Sequence, residues 1–343
     1  MRVLLVPFPH SWRVEGGHRT QQMQSARALR RAGAQVAIGE VGLARSARFD
    51  VVHVFGDPRP LLDLGRPPGR VVVSPVHLPA AVELGPVRWR GGCRTWVMSH
   101  LGHRLRTLRH PGAQRRRWAE VRARLEAMAR ADVIVANSRA EARLVEDDAV
   151  GPMPAIRVAY SGVDQSFFAG SAARGRSMLG GDPFVLCVGR VEPIKNQLTL
   201  ARAMRSVPRR LVLVGAVLPG NEGYLRACLA TLPSLVHVPH VDRSLLPHLY
   251  AAADAHALPS WYETTGLATL EALAAGTPCV AGRGPCVEDY FDGRVRLHRP
   301  GDERGLRASI LGALGEARGR GRELAARFNW ERTAEELLDA YQR

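Results

Sequence analysis

Apolar and polar positions along the chain fall into two successive series. In the first, short runs at 3–6, 35–38, 51–55, 71–74 and 133–136 are rich in Val, Ile and Leu and bounded by turn formers. This is the pattern of buried strands. Between the first two runs, 20–31 carries apolar positions at helical spacing and stops at Gly33, a residue suited to the left-handed position that ends a helix. The second series opens near 184. It predicts strands at 184–188, 211–215, 235–238, 255–258 and 277–281, and helices at 197–204, 245–253 and 266–275. The last of these is closed by Gly276 with Pro278 just beyond. An amphipathic stretch at 333–341 predicts one further helix. Strands alternating with helices imply parallel sheets built from βαβ crossovers. No repeat of solenoid period is present.

Length fixes how many such sheets to expect. The chain has 343 residues, too long for one ordinary open α/β domain and suited to two of about 150–200. Residues 164–181, rich in Gly, Ser, Ala and Arg, read as the linker. The expected division is an N-terminal Rossmann-like domain over 1–165, a C-terminal one over 166–325, and a terminal helix within 326–343 packing back on the first. There is no apolar run long enough to span a membrane. Residues 1–9 hold an apolar run broken by Pro7 and Pro9 with no small-residue cleavage site after it, so they read as a strand and not a signal peptide. Five cysteines (93, 187, 228, 279 and 286) are scattered without a CxxC, which points to neither a disulfide framework nor a zinc site and fits a reducing cytoplasm.

Charge adds a second theme. There are 48 basic against 32 acidic residues, a net charge of +16. Such an excess attracts phosphorylated small molecules, anionic lipid and nucleic acid alike. Of the 48 basic residues one is lysine, Lys195, and all the others are arginine. An ammonium is a compact point charge and a guanidinium a planar fork, so a lone lysine marks a position where the difference can matter. Residues 84–119 hold nine Arg and no acid, interleaved with Trp89, Trp96 and Trp118. Two readings stand side by side: a solvated, irregular insertion with arginines snorkelling over apolar surface, and a surface that docks on anionic membrane, where Trp favours the interface. Nucleic-acid binding is the third and weakest, since no recognised motif accompanies the charge.

Three constellations carry candidate chemistry. In the stretch Pro259 to Ala272, Glu263 lies in a loop and Glu271 inside the following helix. The loop follows a predicted strand and so sits at the carboxyl edge of a parallel sheet, where open α/β sheets bind ligands. The helix start near Thr264, Thr265, Gly266 and Leu267 offers free N–H groups and a positive dipole end, suited to phosphate. Ordinary acids stabilising a helix start explain the two Glu equally well. In the second constellation, Gly189 lets the chain turn at a strand end, and Arg190 and Lys195 project from the strand-to-helix loop. Positive charge there would act most on a leaving diphosphate, whose own charge grows in the transition state; two solvated loop cations are the alternative reading. Third, Gly16-Gly17-His18-Arg19-Thr20 follows the first strand; it is half of a dinucleotide fingerprint and by itself weak. Of the single histidines, His77 ends a strand on the side facing the second domain, whereas His53, within a strand, reads as structural.

Taken together these residues resemble the GT-B-fold retaining glycosyltransferases, in particular the large family 4 (glycosyl transferases group 1). The resemblance covers nearly the whole chain. It is carried by Val188-Gly189-Arg190 with Pro193 and Lys195-Asn196, by Leu258-Pro259-Ser260 through Glu263, by Gly266-Leu267, Leu270-Glu271-Ala272 and Gly276-Thr277-Pro278, by Tyr160-Ser161-Gly162-Val163-Asp164 with Phe168, and by Ala131-Asp132-Val133-Ile134 with Asn137-Ser138. The resemblance implies that Arg190 and Lys195 hold the donor diphosphate, that Glu263 contacts the sugar hydroxyls and Glu271 the ribose, and that His77 reaches the donor sugar from the N-terminal domain. Gly16 and Gly17 would match the glycine loop near the phosphates and acceptor. It also implies a nucleotide-sugar donor of UDP or GDP type, no metal or other cofactor, and retention of anomeric configuration. One departure stands out: relatives often carry Gly-Phe-Gly after the first Glu, and here Thr264-Thr265-Gly266 stands instead. A β-branched residue in place of the first Gly stiffens that loop and puts donor-sugar selectivity in question.

The resulting expectation is a transferase with its donor in the C-terminal domain and its acceptor, a glycan or lipid-linked sugar, in the N-terminal one, located in the cytoplasm or at the inner face of the membrane. A nucleotide-sugar epimerase on the same architecture and a catalytically inactive GT-B module partnering a polymerase at the membrane are the alternatives. Specific nucleic-acid binding is not expected.

Overall fold

Parallel strands that are covered by helices on both faces need near-continuous apolar sequence, and the central strands of this protein have it. The computed structural model describes residues 1–8, 16–64, 67–79, 111–291 and 293–343. The first sheet contains β1 (Arg2–Val6), β2 (Gln35–Ile38), β3 (Val51–Phe55), β4 (Arg70–Ser74), β5 (Val133–Ala136) and β6 (Ala155–Val158), all parallel, in the order β2-β1-β3-β4-β5-β6. The second contains β7 (Phe184–Val188), β8 (Arg210–Val214), β9 (Val236–Val238), β10 (Ala255–Leu258), β11 (Cys279–Gly282) and β12 (Arg296–His298), also parallel, in the order β12-β11-β10-β7-β8-β9. Each strand order reverses once, between β1 and β3 and between β7 and β10. The carboxyl ends of these strands are where open α/β sheets leave a crevice for ligand.

Most predicted elements lie within a residue or two of those observed. The first helix begins earlier, at Gly17, and runs Gly17–Arg31, because Gly16 supplies the extended residue ahead of it. Strands β6 (AIRV) and β12 (RLH) escape the sequence pattern because each is short and an arginine interrupts its apolar run. Of the basic insertion at 84–119, residues 84–110 lie outside those described, and 111–119 begin the helix Pro111–Met128.

One expectation is corrected. Residues 164–181 are not an irregular linker. They form a 3₁₀ turn, Gln165–Ala169, and a short helix, Ala172–Ser177, with Asp164 and Ser171 as side-chain caps. Phe167 is fully buried in the C-terminal core, and Gly170 and Gly175 lie so close to the carbonyls of Pro247 and His248 that neither has room for a Cβ. The composition misled because small residues here serve close helix approach and not flexibility.

The chain crosses between the halves twice. Outbound it passes through 159–163, and it returns before the helix Trp330–Gln342, capped by the side chain of Asn329. The crossings touch: Val163 N–H donates to the Phe328 carbonyl at 3.0 Å. The terminal helix packs on the first sheet, where Trp330, Leu337 and Tyr341 are buried with Val3, Leu5 and Leu29. Each such burial stabilises by roughly 1.5–3 kcal/mol.

Candidate active site in the interdomain cleft

Two loops of the C-terminal half form one wall of a cleft between the halves. After β7, Gly189 adopts φ +156°, a conformation that favours glycine, and Gly215 lies so close that a Cβ there would meet the Gly189 carbonyl. The loop then ends in Asn196, at φ +59°. Asn196 fastens this loop to the one after β10: its Nδ2 donates to the Pro259 carbonyl at 3.1 Å, and Trp261 N–H donates to the Ile194 carbonyl at 2.8 Å. Lys195 and Glu263 are thereby brought together, with Nζ 2.7 Å from Oε1. Ser260 Oγ donates to the same oxygen at 2.6 Å. Arg190 pairs with Glu192 at 2.9 Å.

The wall continues into the next helix. Gly266, at φ +72°, turns the chain into Leu267–Ala274. Thr264, Thr265, Gly266 and Leu267 line the cleft beside Gly189, Arg190 and Lys195, and Gly16 and Gly17 face them from the N-terminal half. The positions where Cβ atoms of Gly16 and Gly17 would stand are 3.6 Å from Arg190 Cδ and 3.8 Å from Leu267 Cδ1. The structure therefore assembles eleven of the residues singled out from the sequence around one space: Gly16, Gly17, Gly189, Arg190, Lys195, Glu263, Thr264, Thr265, Gly266, Leu267 and, in the adjoining chamber, His77.

Glu271 is placed differently. It is buried, and both carboxylate oxygens are engaged: Arg243 Nη2 lies 3.0 Å from Oε1, and Tyr250 OH donates to Oε2 at 3.1 Å. Burial raises its pKa, opposed by the Arg243 charge and the Tyr250 hydrogen bond. The His77 ring is likewise engaged, Nε2 lying 2.8 Å from Asp148 Oδ2, while its N–H donates to Glu141 and its carbonyl accepts from Tyr262 OH at 2.8 Å. The last of these bonds joins the two halves across the cleft. Val76, just before it, is held at φ +46°, a strained conformation for a β-branched residue. His53 sits in the first core, its ring nitrogens bonded to Tyr341 OH and Ser74 Oγ.

Two further residues take part here to which the sequence motifs give no role of their own. His18 lines both chambers; burial first, then the Arg190 and Lys195 charges, hold its pKa down at about 4, and its Nδ1 is buried without a hydrogen-bond partner among the described residues. Its signal was its place in the Gly-Gly-His turn. Arg243 stacks over the Phe167 ring at 5.2 Å and reaches Thr20 Oγ1 of the first helix at 3.5 Å, as well as Glu271. Its one sequence signal is an arginine in the loop that follows a strand at the same sheet edge. Among the described residues no group of three His, Cys, Asp or Glu side chains could hold a metal ion, and no helix is long and apolar enough to cross a membrane.

Two Rossmann-like domains facing across a cleft, with the terminal helix returned to the first, define the GT-B architecture. Residues 182–316 match the family described as glycosyl transferases group 1. The chain is 34% identical over 293 residues to a D-inositol 3-phosphate glycosyltransferase of Saccharomonospora viridis, covering 75% of this chain and 67% of that one. It is 34% identical over 241 residues to the enzyme of that name from Nocardia farcinica, covering 62% of this chain and 53% of that one, so it spans about half the length of that relative. The solved structure of Anabaena Alr3699/HepE in complex with UDP-glucose superposes with a TM-score of 0.76 at 17% identity, covering 100% and 99% of the two chains, a likeness of fold. The chain belongs to the glycosyl transferases group 1 family.

Proposed function

We propose that the protein is a glycosyltransferase that moves a sugar from a nucleotide-sugar donor, of UDP or GDP type, to an acceptor held in the N-terminal half. The observation that carries this is the pairing of Lys195 with Glu263, beside Arg190 and the start of the Leu267–Ala274 helix, at the carboxyl edge of the second sheet and opposite Gly16 and Gly17. Cations and helix N–H groups meet a diphosphate, and a carboxylate accepts from sugar hydroxyls. The relatives named as glycosyltransferases and the Anabaena structure with UDP-glucose support the same reading.

In this reading the bond from the anomeric carbon to the β-phosphate oxygen breaks while the acceptor oxygen bonds to that carbon from the same face. The acceptor proton passes to the leaving phosphate, and configuration is retained. Arg190 and Lys195 meet the charge that grows on the diphosphate. Glu263, released from Lys195 as the phosphate arrives, turns to the sugar. Contact between the halves keeps water from the donor. No metal is required. The acceptor is a lipid-linked or cell-surface glycan precursor, and the Arg- and Trp-rich 84–119 region brings the protein to the inner face of the membrane. Flotation with anionic liposomes at low salt checks this last point, and absence of binding there removes it.

The site itself is tested by calorimetric titration with UDP, GDP and ADP in EDTA, repeated on Lys195→Ala. Saturable binding of one nucleotide, weakened by the substitution, is expected. Binding that is unaffected by the substitution, or that needs a divalent cation, overturns the assignment.

A further inference from the structure

Glu271 stands on the helix whose start lines the donor chamber, about one and a half turns in from Gly266. A ligand whose diphosphate meets that start can bring its ribose to this carboxylate. The Glu271 side chain is 8% exposed. A carboxylate so nearly buried keeps its charge and its orientation only if its neighbours supply both.

Two neighbours do so. Tyr250, on the helix Leu246–Ala252, donates to Oε2, and Arg243, in the loop after β9, holds Oε1 through Nη2 at 3.0 Å. Arg243 is itself fixed from several sides. Its guanidinium lies over the Phe167 ring, 5.2 Å from the centroid, and its Nη1 reaches Thr20 Oγ1 of the first helix at 3.5 Å. The turn that carries it is closed by Asp242, whose Oδ1 accepts from Ser244 N–H at 2.8 Å. A planar fork lying over a ring presents its N–H groups in one set direction, as a flexible ammonium does not.

Among the described residues, the charged and titratable groups acting on Glu271 are Arg243, Tyr250 and, from the crossing between the halves, Asp164. Burial and the Asp164 charge favour the protonated carboxyl, and Arg243 and Tyr250 oppose them. Each carboxylate oxygen gives one lone pair to its partner and keeps another, so an ionised Glu271 can still accept from two neighbouring hydroxyls. Protonation would turn one of these acceptors into a donor.

We infer that Arg243 is a positioning residue of the nucleotide site, one that holds the Glu271 carboxylate ready to accept from the ribose hydroxyls. This rests on the transferase reading, with Glu271 at the ribose. Arg243 acts through Glu271 and not on the sugar that is transferred.

The test is calorimetric titration with whichever of UDP, GDP and ADP binds, and with its 2′,3′-dideoxy form, on wild type, Glu271→Gln, Arg243→Gln and Arg243→Lys. Wild type is expected to prefer the ribose form by about tenfold or more, the worth of a hydrogen bond to a charged group. Arg243→Gln is expected to lose most of that preference while keeping its affinity for the dideoxy form, which also shows that the site is folded. In the same variant the affinity for the ribose form should be lost at higher pH than in wild type, since Glu271 takes up its proton earlier once the neighbouring charge is gone. The nucleotide's own phosphate titrates alike in both proteins and cancels in the comparison. Arg243→Lys should return the pH dependence toward wild type and recover only part of the ribose preference. Equal weakening of both nucleotide forms by Arg243→Gln, or a ribose preference and pH dependence that it leaves unchanged, overturns the inference. Glu271→Gln reports on the underlying reading: a full ribose preference in that variant, or no binding of any nucleotide by wild type, removes Glu271 from the ribose and takes the role of Arg243 with it.

Discussion

Lys195 is an amine in a protein that otherwise uses arginine for every positive side chain. Its Nζ lies 2.7 Å from Glu263 Oε1, which Ser260 also approaches, and it meets that oxygen as a compact point charge where a guanidinium would present a planar fork. If the ammonium meets the leaving diphosphate, Lys195→Ala should lower kcat by about 100-fold, the usual cost of one transition-state donor, and Lys195→Arg should restore little. Turnover of the purified variants, with circular dichroism to show that they fold, checks this; undiminished turnover removes Lys195 from the chemistry. Arg243 makes a second residue-scale case. Replacing it by Ala leaves the buried Glu271 without its ion pair, expected to cost roughly 1–2 kcal/mol given the partial exposure of the arginine, read from urea unfolding. Lys195 and Glu263 were legible in the sequence because each sits just after an apolar strand. The Arg243–Glu271 pair was not, because no local pattern links a loop arginine to a helix carboxylate from another crossover.

Elements were most legible where burial is continuous. Strands β5 and β10 are buried at every residue and coincide with their apolar runs, while β6 and β12, at the sheet edges, have broken patterns. Glycines were the hardest to interpret. The same residue type that suggested a loose linker at 170 and 175 serves close packing there, and Gly162 does so at the crossing between the halves. A Cβ on Gly162 would stand 2.3 Å from the Asn329 carbonyl carbon, against backbone that cannot yield cheaply. Gly162→Ala should therefore push the start of the Trp330–Gln342 helix away from the first sheet and lower stability by at least about 1–3 kcal/mol, as overpacking does. Thermal unfolding measures it, and proteolysis near 326–330 should quicken in the variant. An unchanged melting temperature would show that the two crossings are not tightly held.

At the scale of the whole molecule, each sheet carries a buried histidine on a central strand, His53 on β3 and His256 on β10, and burial lowers both pKa values from 6.5 to about 3. His18 in the cleft is held at about 4. A depressed folded-state pKa means that the unfolded chain takes up protons first. The stability these groups contribute is whole above pH 6.5 and is lost as pH falls toward 3. Glu141 and Glu271 act in the opposite sense, since burial raises their pKa and the folded state then holds the extra proton. His256 has a buried Nδ1 with no partner among the described residues. Between about pH 5.5 and 4, His256→Gln should reduce the slope of unfolding free energy against pH by about 1.4 kcal/mol per unit, one proton's worth. Chemical denaturation across that range tests it; a slope identical to wild type would mean that His256 already titrates when folded.

The return of the Trp330–Gln342 helix to the first sheet also orders events during synthesis. That helix covers the same face of the first sheet as Gly17–Arg31, with Tyr341 reaching His53, yet it follows the entire second half in sequence. A ribosome therefore completes every residue of the second half before it delivers the piece that seals the first. Until that piece arrives, the half made earlier keeps part of its apolar face uncovered. A chain truncated after residue 329 should therefore expose apolar surface on its first half, not its second.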